Sequence, residues 1–215
     1  MLANARISRA IRGVTPYRDH RVLDLGCGDG TYSIELFEHE APALLVGIDA
    51  VPEAIEVARE CGRQHGERLR FEIGDAYNIA YQPKEFDVVI LRGVLHHLDA
   101  PERAVHEALR VGHEVVILEP NGLNVGLKML ERFSAYHRAH GERSFTPWRL
   151  ERMLEAAGGQ VAKRELLGLV PMFCPNTMAR LCQRFQPLVE AIPILNRFCC
   201  AQRLILGTTR QGHRR

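Results

Sequence analysis

The sequence lacks the long apolar segments that mark membrane and secreted proteins. No window approaches the ~18 consecutive apolar residues of a membrane span. The first stretch, MLANARISRAIRGV, is amphipathic and lacks the continuous apolar core of a signal peptide. We therefore expect a soluble, cytoplasmic protein.

Disulfide and metal-binding patterns are also missing. The six cysteines include no C-x-x-C pair, and the ten histidines include no H-E-x-x-H or similar ligand spacing. Without a secretory signal a disulfide framework has little support. The sequence therefore indicates neither a structural zinc site nor a metal-dependent reaction.

The composition is that of an ordinary globular protein, with 215 residues, 46% of them apolar and 25% charged. The net charge of +2 conceals an asymmetry, because residues 1–122 are net acidic and residues 123–215 are net basic. A basic second half suits an anionic substrate, an acidic membrane surface or nucleic acid. It is equally compatible with arginines that simply keep helix faces in water.

Short apolar segments rich in valine, isoleucine and leucine alternate with helical patterns as far as Pro120. Near-continuous runs of this kind are typical of strands buried on both faces, and their alternation with helices predicts a parallel sheet covered on both sides. The predicted strands are 21–26, 43–49, 69–75, 86–92 and 114–120, and the predicted helices are 31–40, 52–65 and 101–112.

After Pro120 the pattern becomes less regular. We predict a helix followed by a polar loop, a helix over 147–159, strands at 160–169 and 202–210, and between them an apolar insertion at 171–201 that three prolines interrupt. We expect one domain, with a leading helix in 1–20, a ligand-binding core in 21–120, an acceptor loop and helix in 121–146, and the insertion in 171–201.

The segment LDLGCGDGTYS, residues 23–33, carries glycine at alternate positions directly after a predicted strand. Glycine at Gly26, Gly28 and Gly30 indicates a sharp turn in which a ligand approaches the backbone. Two acids, Asp24 and Asp29, flank this turn.

Two common phosphate-binding loops do not fit these residues. No G-K-[ST] follows the glycines, and the third glycine of a G-x-G-x-x-G dinucleotide fingerprint would fall on Thr31. The acids Asp24 and Asp29 would also repel a pyrophosphate. The pattern therefore favours a cationic or zwitterionic ligand.

At this point the sequence resembles a known family. The D-x-G-x-G-x-G pattern from Asp24 to Gly30 resembles the first motif of class I S-adenosylmethionine-dependent methyltransferases, and GIDAVPEAIEVAR, EIGDAYNIAY and FDVVILRGVLHHLDAPERAVHEALRV extend the resemblance over about residues 20–120. The sequence is similar to the large small-molecule group called methyltransferase type 11. It implies an α/β, Rossmann-like three-layer sandwich with a mostly parallel seven-stranded sheet and helical insertions.

The resemblance also implies which residues bind S-adenosyl-L-methionine and its product S-adenosyl-L-homocysteine. Asp49 corresponds to the acid that binds both ribose hydroxyls, and Asp75 to the acid near the adenine amino group. A lone aspartate at a strand end is also a common turn or helix-cap residue, so that alternative remains open for both. The expected cofactor-binding residues are Asp24, Gly26, Cys27, Gly28, Gly30, Asp49, Ala50, Asp75, Ala76, Leu91 and Arg92, and Val51 is a further apolar contact.

The residues for the acceptor side are less defined. His96 and His97 follow the fourth strand, where a base could take a proton from a hydroxyl, although structural hydrogen bonding of these histidines is the alternative. Tyr136, His137 and His140 lie after the fifth strand, where relatives build the acceptor pocket. These five residues are the candidates for catalysis or acceptor contact.

The resemblance predicts an enzyme that transfers methyl to O, N or C of a small, apolar or anionic acceptor. The apolar insertion suggests a lid for a lipid-like acceptor and peripheral contact with a membrane, with packing on the sheet or a dimer interface as alternatives. An RNA or protein methyltransferase and a non-catalytic cofactor-binding protein remain alternative functions. We expect no nucleic-acid partner because no appended RNA-binding module is present.

Overall fold

A computed structural model describes residues 2–133, 144–168, 184, 188–189 and 191–209. Its strands are β1 Arg21–Leu25, β2 Leu44–Asp49, β3 Leu69–Ile73, β4 Phe86–Arg92, β5 Gly112–Pro120, β6 Gly159–Leu167 and β7 Gln202–Thr209. Its α-helices are α1 Leu2–Val14, α2 Thr31–Glu40, α3 Pro52–Gly62, α4 Pro101–Val111, α5 Val125–Phe133, α6 Pro147–Ala156 and α7 Pro193–Cys199. Two short 3₁₀ helices cover Arg63–Arg68 and Leu95–His97.

The seven strands form one sheet in the order β3-β2-β1-β4-β5-β7-β6. Strand β7 runs antiparallel to β5 and β6, and the remaining neighbours are parallel. The chain order reverses at β1, which pairs with β2 on one side and with β4 on the other. Sheets of this kind bind ligands beyond the carboxyl ends of the strands at such a reversal.

Apolar side chains cover both faces of the sheet. Along β4, Val88 and Ile90 pack on the face that α1, α2 and α3 cover, whereas Val89 and Leu91 pack on the face that α4 and α6 cover. This alternation follows from the two-residue period of a strand. The sheet therefore lies between two helical layers, and the predicted three-layer, mostly parallel seven-stranded fold is confirmed.

Several element boundaries differ from the sequence-based prediction. The helix expected over 52–65 ends at Gly62 and continues as a 3₁₀ helix, in which Gly66 has a positive φ of 63°. Strand β5 begins at Gly112 rather than at residue 114, because Gly112 adopts an extended conformation directly after α4 and pairs with Phe86. Strand β3 ends at Ile73, two residues earlier than expected.

The insertion expected at 171–201 lies largely outside the described residues. Helix α7 and a few residues before it are described, and they precede β7, which pairs with β6 in the antiparallel direction. Among the helices that the structure describes, none is long and apolar enough to cross a membrane.

Candidate functional site

The glycine loop after β1 turns sharply at the carboxyl edge of the sheet. Gly26 and Gly28 have φ angles of 78° and 55°, a region that side chains with a Cβ rarely adopt. The backbone amides of Gly26 and Cys27 both donate to the carbonyl of Ile48, at 2.7 and 3.1 Å. A Cβ on Gly26 would lie 2.3 Å from Cγ2 of Val94, whereas one on Gly28 would meet no atom within 4 Å. The loop is thus packed closely at Gly26 and open at Gly28.

Asp49, at the end of β2, joins this loop to the neighbouring strand. Its Oδ2 accepts a hydrogen bond from the Gly28 amide at 2.9 Å, and its Oδ1 accepts one from the Val51 amide at 3.0 Å. A carboxylate oxygen can accept more than one hydrogen bond, so both oxygens retain acceptor capacity for a ligand. The half-buried carboxylate is therefore held in one orientation at the edge of the sheet.

A cavity of about 290 Å³ opens beside Asp49. It lies at the carboxyl ends of β1, β2 and β4 and beside the residues after β3, which is where the reversal of strand order predicts a ligand site. The cavity brings together predicted cofactor residues from separate segments with the candidate base His97. Its lining residues are Leu25, Gly26, Ile48, Asp49, Ala50, Val51, Gly74, Ala76, Gly93, Val94, His97 and Leu98.

Besides Asp24 and Arg92, five predicted cofactor residues do not line this cavity: Cys27, Gly28, Gly30, Asp75 and Leu91. Asp75 is exposed and its Oδ1 accepts a hydrogen bond from the Tyr77 amide at 2.8 Å, which is the turn role that the sequence left open. The side chains of Cys27 and Leu91 belong to the apolar core, and burial raises the pKa of the Cys27 thiol. Cys27 and Leu91 can therefore meet a ligand only through their backbones.

Asp24 lies on the other side of the glycine loop, next to a smaller cavity that α1 and α2 enclose. Its buried carboxylate accepts a hydrogen bond from the Ser33 hydroxyl at 2.5 Å. Burial raises the pKa of Asp24, against the opposing effects of the Ser33 hydrogen bond and the charge of Arg92.

Arg92, at the end of β4, also lines this smaller cavity. Its guanidinium carbon lies 3.3 Å from the centroid of the Tyr32 ring, and its Nη1 donates to the Ser8 hydroxyl at 3.2 Å. Burial lowers the pKa of Arg92. Asp24 and Arg92 together offer an acceptor and a cationic donor, which match the two charges of an amino acid.

A buried acid, Glu119, holds the segment that follows β4. The side chain of Glu119 has no exposed surface. Its Oε1 accepts hydrogen bonds from the amides of Val94 and Leu95 at 2.9 and 2.7 Å, and its Oε2 lies 2.7 Å from Nδ1 of His96. The candidate base His96 is thus fixed by an acid that sequence reasoning did not assign. The sequence feature that could have indicated Glu119 is its position, as a carboxylate near the end of an otherwise apolar strand.

Two asparagines after β5 hold the end of the insertion. The side chain of Asn121 donates to the carbonyls of Arg197 and Cys200 at 3.0 and 2.8 Å, and that of Asn124 donates to the carbonyl of Cys199 at 2.6 Å. Helix α7 is therefore attached to the loop that leaves the ligand-binding edge. Neither asparagine is among the site residues predicted from the sequence.

The remaining acceptor-side candidates, Tyr136, His137 and His140, lie outside the described residues and stay predictions. Over the ranges that the structure describes, no group of three histidine, cysteine, aspartate or glutamate side chains is arranged to hold a metal ion.

Sequence comparisons relate the chain to methyltransferases. A family described as "Methyltransferase domain" matches residues 17–157. The ubiquinone biosynthesis O-methyltransferase of Azorhizobium caulinodans is 30% identical over 175 residues, which cover 74% of this chain and 65% of that protein. The uncharacterized methyltransferase YcgJ of Bacillus subtilis is 33% identical over 94 residues, covering 43% of this chain and 36% of that protein. The chain thus spans less than two thirds of each relative.

Solved structures show the same fold at low sequence identity. The [4+2]-cyclase SpnF has a TM-score of 0.72 and is 20% identical, with 95% of this chain and 80% of that chain covered. The magnesium protoporphyrin IX methyltransferase of Synechocystis PCC 6803, solved with bound S-adenosylhomocysteine, has a TM-score of 0.65 and is 17% identical, with 97% and 84% covered. Because one of these proteins is a cyclase, the fold alone does not define the reaction.

Proposed function

The chain belongs to the class I S-adenosylmethionine-dependent methyltransferases, and from this premise we propose that it transfers a methyl group to an oxygen atom of a small hydroxylated molecule. The observation that carries the use of S-adenosylmethionine is the placement of Asp49 and Gly26 around one cavity. Both carboxylate oxygens of Asp49 are oriented there by backbone amides.

The residues that line the two cavities are chemically complementary to the parts of S-adenosylmethionine. Asp49 offers two acceptor oxygens for the two ribose hydroxyls, and Ala50, Val51 and Ala76 provide apolar surface for the adenosine. Asp24 matches an ammonium group and Arg92 a carboxylate. A bound phosphate, by contrast, would lie beside the acids Asp24 and Asp29. The cofactor supplies a methyl group that is already activated by its sulfonium.

The protein's own contribution is to position the acceptor and remove its proton. Transfer from a good leaving group depends mainly on orientation and on the exclusion of water. When the attacking atom is a hydroxyl oxygen, a base close to the transfer point accelerates the reaction. His96 and His97 lie at the same edge of the sheet as the cofactor cavity, and the ring of His97 borders it.

An apolar, hydroxylated acceptor is favoured by two observations. The relative from Azorhizobium caulinodans is named for O-methylation in ubiquinone biosynthesis. In addition, several apolar side chains on α5 and α7 and just before α7 are exposed, and exposed apolar surface of this kind is typical of sites that contact apolar molecules. They are Val125, Leu188, Ile192, Ile194, Leu195 and Phe198.

Turnover of methyl-labelled S-adenosylmethionine tests this proposal. The protein is incubated with phenols and catechols that carry apolar chains, with matched amines, and with bulk RNA as a third class of acceptor. We expect label in the hydroxylated compounds and a corresponding yield of S-adenosylhomocysteine. Label only in amines or in RNA would contradict oxygen transfer, and cofactor binding without transfer to any of these acceptors would favour the non-catalytic alternative.

We also propose that the exposed apolar side chains near α7 contact a membrane that carries the acceptor. Exposed apolar residues beside a basic segment are typical of peripheral membrane proteins. Co-sedimentation with vesicles of neutral lipid and of lipid containing phosphatidylserine provides the test. We expect binding that Ile194→Ser and Phe198→Ser weaken, whereas the absence of binding to both vesicle types would contradict membrane contact.

A further inference from the structure

The single tryptophan of the chain lies on the surface, where α6 meets α7. Trp148, in the first turn of α6, is 42% exposed, although tryptophan is a highly buried residue on average. The guanidinium carbon of Arg197, on α7, lies 5.8 Å from the centroid of its ring. This cation–π contact joins the two helices while part of the ring stays open to solvent.

Exposed apolar side chains continue this surface along α7. Ile194 is 72% exposed and Phe198 is 44% exposed. Because Arg197 and Phe198 lie three and four positions after Ile194, all three share one face of the helix. The side chain of Asn121 donates to the carbonyl of Arg197 at 3.0 Å and so attaches α7 to the loop after β5. The apolar face of α7 is consequently held beside Trp148.

Two arginines of this surface are available for an anionic partner. Arg149, also on α6, pairs with Glu102 at 3.3 Å. Arg152 and Arg197 are exposed, and among the described residues no carboxylate forms an ion pair with either of them. Nε of Arg152 donates to the carbonyl of Trp148 at 3.4 Å, which keeps this arginine near the ring.

These side chains define what we call the α6–α7 surface, and their mixture distinguishes between two classes of anionic partner. Aromatic rings beside arginines occur in sites for single-stranded nucleic acid as well as at membranes. Interfaces with nucleic acid are more polar, however, whereas exposed apolar side chains lie beside this ring. Tryptophan is enriched at the boundary between lipid and water, where an arginine keeps its charge in water and lays its stem on apolar surface. The α6–α7 surface consists of Trp148, Arg152, Ile194, Arg197 and Phe198.

We propose that the α6–α7 surface binds a bilayer that contains anionic phospholipid. Ile194 and Phe198 enter the apolar layer, Trp148 lies at its boundary, and Arg152 and Arg197 bind lipid phosphates. A guanidinium suits this task because it donates two parallel hydrogen bonds to a phosphate. The inference rests on the proposed membrane contact and adds the class of lipid and the surface that binds it. Since α7 is attached to the loop after β5, the bilayer lies beside the ligand-binding edge of the sheet.

The fluorescence of Trp148 tests this placement, because no other tryptophan contributes to the signal. Vesicles of phosphatidylcholine, and vesicles with added phosphatidylglycerol, are titrated into the protein, and co-sedimentation measures binding. Lipids with brominated acyl chains, which quench nearby tryptophan, replace the ordinary lipids in a second titration. We expect phosphatidylglycerol vesicles to shift the emission to shorter wavelength and the brominated lipids to quench it. Binding without either change would overturn the proposal.

Charge reversal at Arg197 tests the role of the arginines. Arg63 provides a matched control, because its side chain is 78% exposed and it lies just before β3, at the opposite edge of the sheet from β6. Each positive charge near an anionic membrane strengthens binding about fivefold. Arg197→Glu should therefore weaken binding to phosphatidylglycerol vesicles by about 30-fold, and Arg63→Glu by less than about twofold. Equal losses would contradict the proposal, and Arg152→Glu serves for the same comparison if Arg197→Glu does not fold.

Two soluble competitors separate the bilayer from other sources of phosphate. Glycerol 3-phosphate offers the phosphate group without a bilayer, and RNA offers phosphates together with bases. We expect neither to displace the protein from vesicles or to change the emission of Trp148. A change in emission with RNA but not with vesicles would assign the surface to nucleic acid. Displacement by glycerol 3-phosphate would assign the arginines to a soluble phosphate, and either result would overturn the proposal.

The vesicle results distinguish failure of this inference from failure of the proposed function. If neutral and phosphatidylglycerol vesicles bind the protein equally, the anionic lipid is wrong and membrane contact stands. If the folded protein binds neither, both proposals on the membrane are contradicted. Methyl transfer is measured separately with soluble acceptors and does not depend on either result. Unchanged affinity of Arg197→Glu for S-adenosylhomocysteine shows that this variant keeps the fold.

Discussion

The close contact between Gly26 and Val94 in the glycine loop predicts how an alanine at Gly26 changes the stability of the protein. Alanine at Gly26 must keep a φ near 78° and places a Cβ 2.3 Å from Cγ2 and 2.9 Å from Cγ1 of Val94. Val94 cannot easily retreat, since it is β-branched and its amide is bound to Glu119. Alanine at Gly28 experiences a similar φ, of 55°, but meets no atom within 4 Å.

The two substitutions should lower the free energy of unfolding by different amounts. Both force an alanine into a left-handed backbone conformation, but only Gly26→Ala also creates a steric clash. A left-handed residue with a Cβ costs about 1–2 kcal/mol, which is the whole effect expected for Gly28→Ala. Overpacking adds about 1–3 kcal/mol at Gly26. We therefore expect Gly26→Ala to lower the free energy of unfolding by about 2–5 kcal/mol.

Urea unfolding of the two variants without cofactor measures the difference, provided that both unfold cooperatively with similar slopes. Circular dichroism and tryptophan fluorescence should give coincident transitions. If Gly26→Ala is no less stable than Gly28→Ala, the close contact with Val94 does not constrain the loop and the argument is refuted.

Three further substitutions test how charged side chains contribute to the free energy of unfolding. Glu151→Gln should lower the free energy of unfolding by about 3–5 kcal/mol, because it removes the ion-pair partner of Arg203, whose side chain is only 8% exposed. Glu102→Gln breaks the exposed ion pair with Arg149 and should lower it by less than about 1 kcal/mol. Equal effects of the two substitutions in urea unfolding would contradict this expectation. Burial raises the pKa of Asp24, so the stability linked to this group is present below an unfolded pKa of about 3.9 and is lost as pH rises through the folded value. The stability of Asp24→Asn relative to wild type should therefore increase as pH rises above about 3.9, and a pH-independent difference in the free energy of unfolding would contradict the raised pKa of Asp24.

The sheet and the glycine loop could be predicted because their signals are local. Apolar runs predicted the strands, and alternate glycines between acids predicted the turn and the kind of ligand. The start of β5 differs, because the sequence predicts a helix that extends to Gly112, whereas the structure places Gly112 in the strand. Strand alternation within FDVVILR would have shown that the Leu91 side chain faces the core.

The hydrogen bonds that hold the site residues in place could not be predicted in the same way, because they join residues that are distant in the sequence. Glu119 and His96 are separated by 23 positions and meet only because β4 and β5 are neighbours. Asn121 likewise binds carbonyls more than 70 residues away. A single sequence does not reveal such partners, although a polar side chain at the end of an apolar strand marks a position that needs one.

Calorimetric titration with S-adenosylhomocysteine tests most directly whether the cavity beside Asp49 binds the cofactor. The proteins to compare are wild type, Asp49→Ala, and Asp87→Asn as a matched control, since Asp87 lies at the opposite end of β4 and accepts a hydrogen bond from the Arg21 amide. Loss of two hydrogen bonds to a carboxylate should weaken binding to Asp49→Ala by about 10²-fold or more, with Asp87→Asn close to wild type. Equal affinity of Asp49→Ala and wild type, or no binding to the folded wild type, would contradict the account.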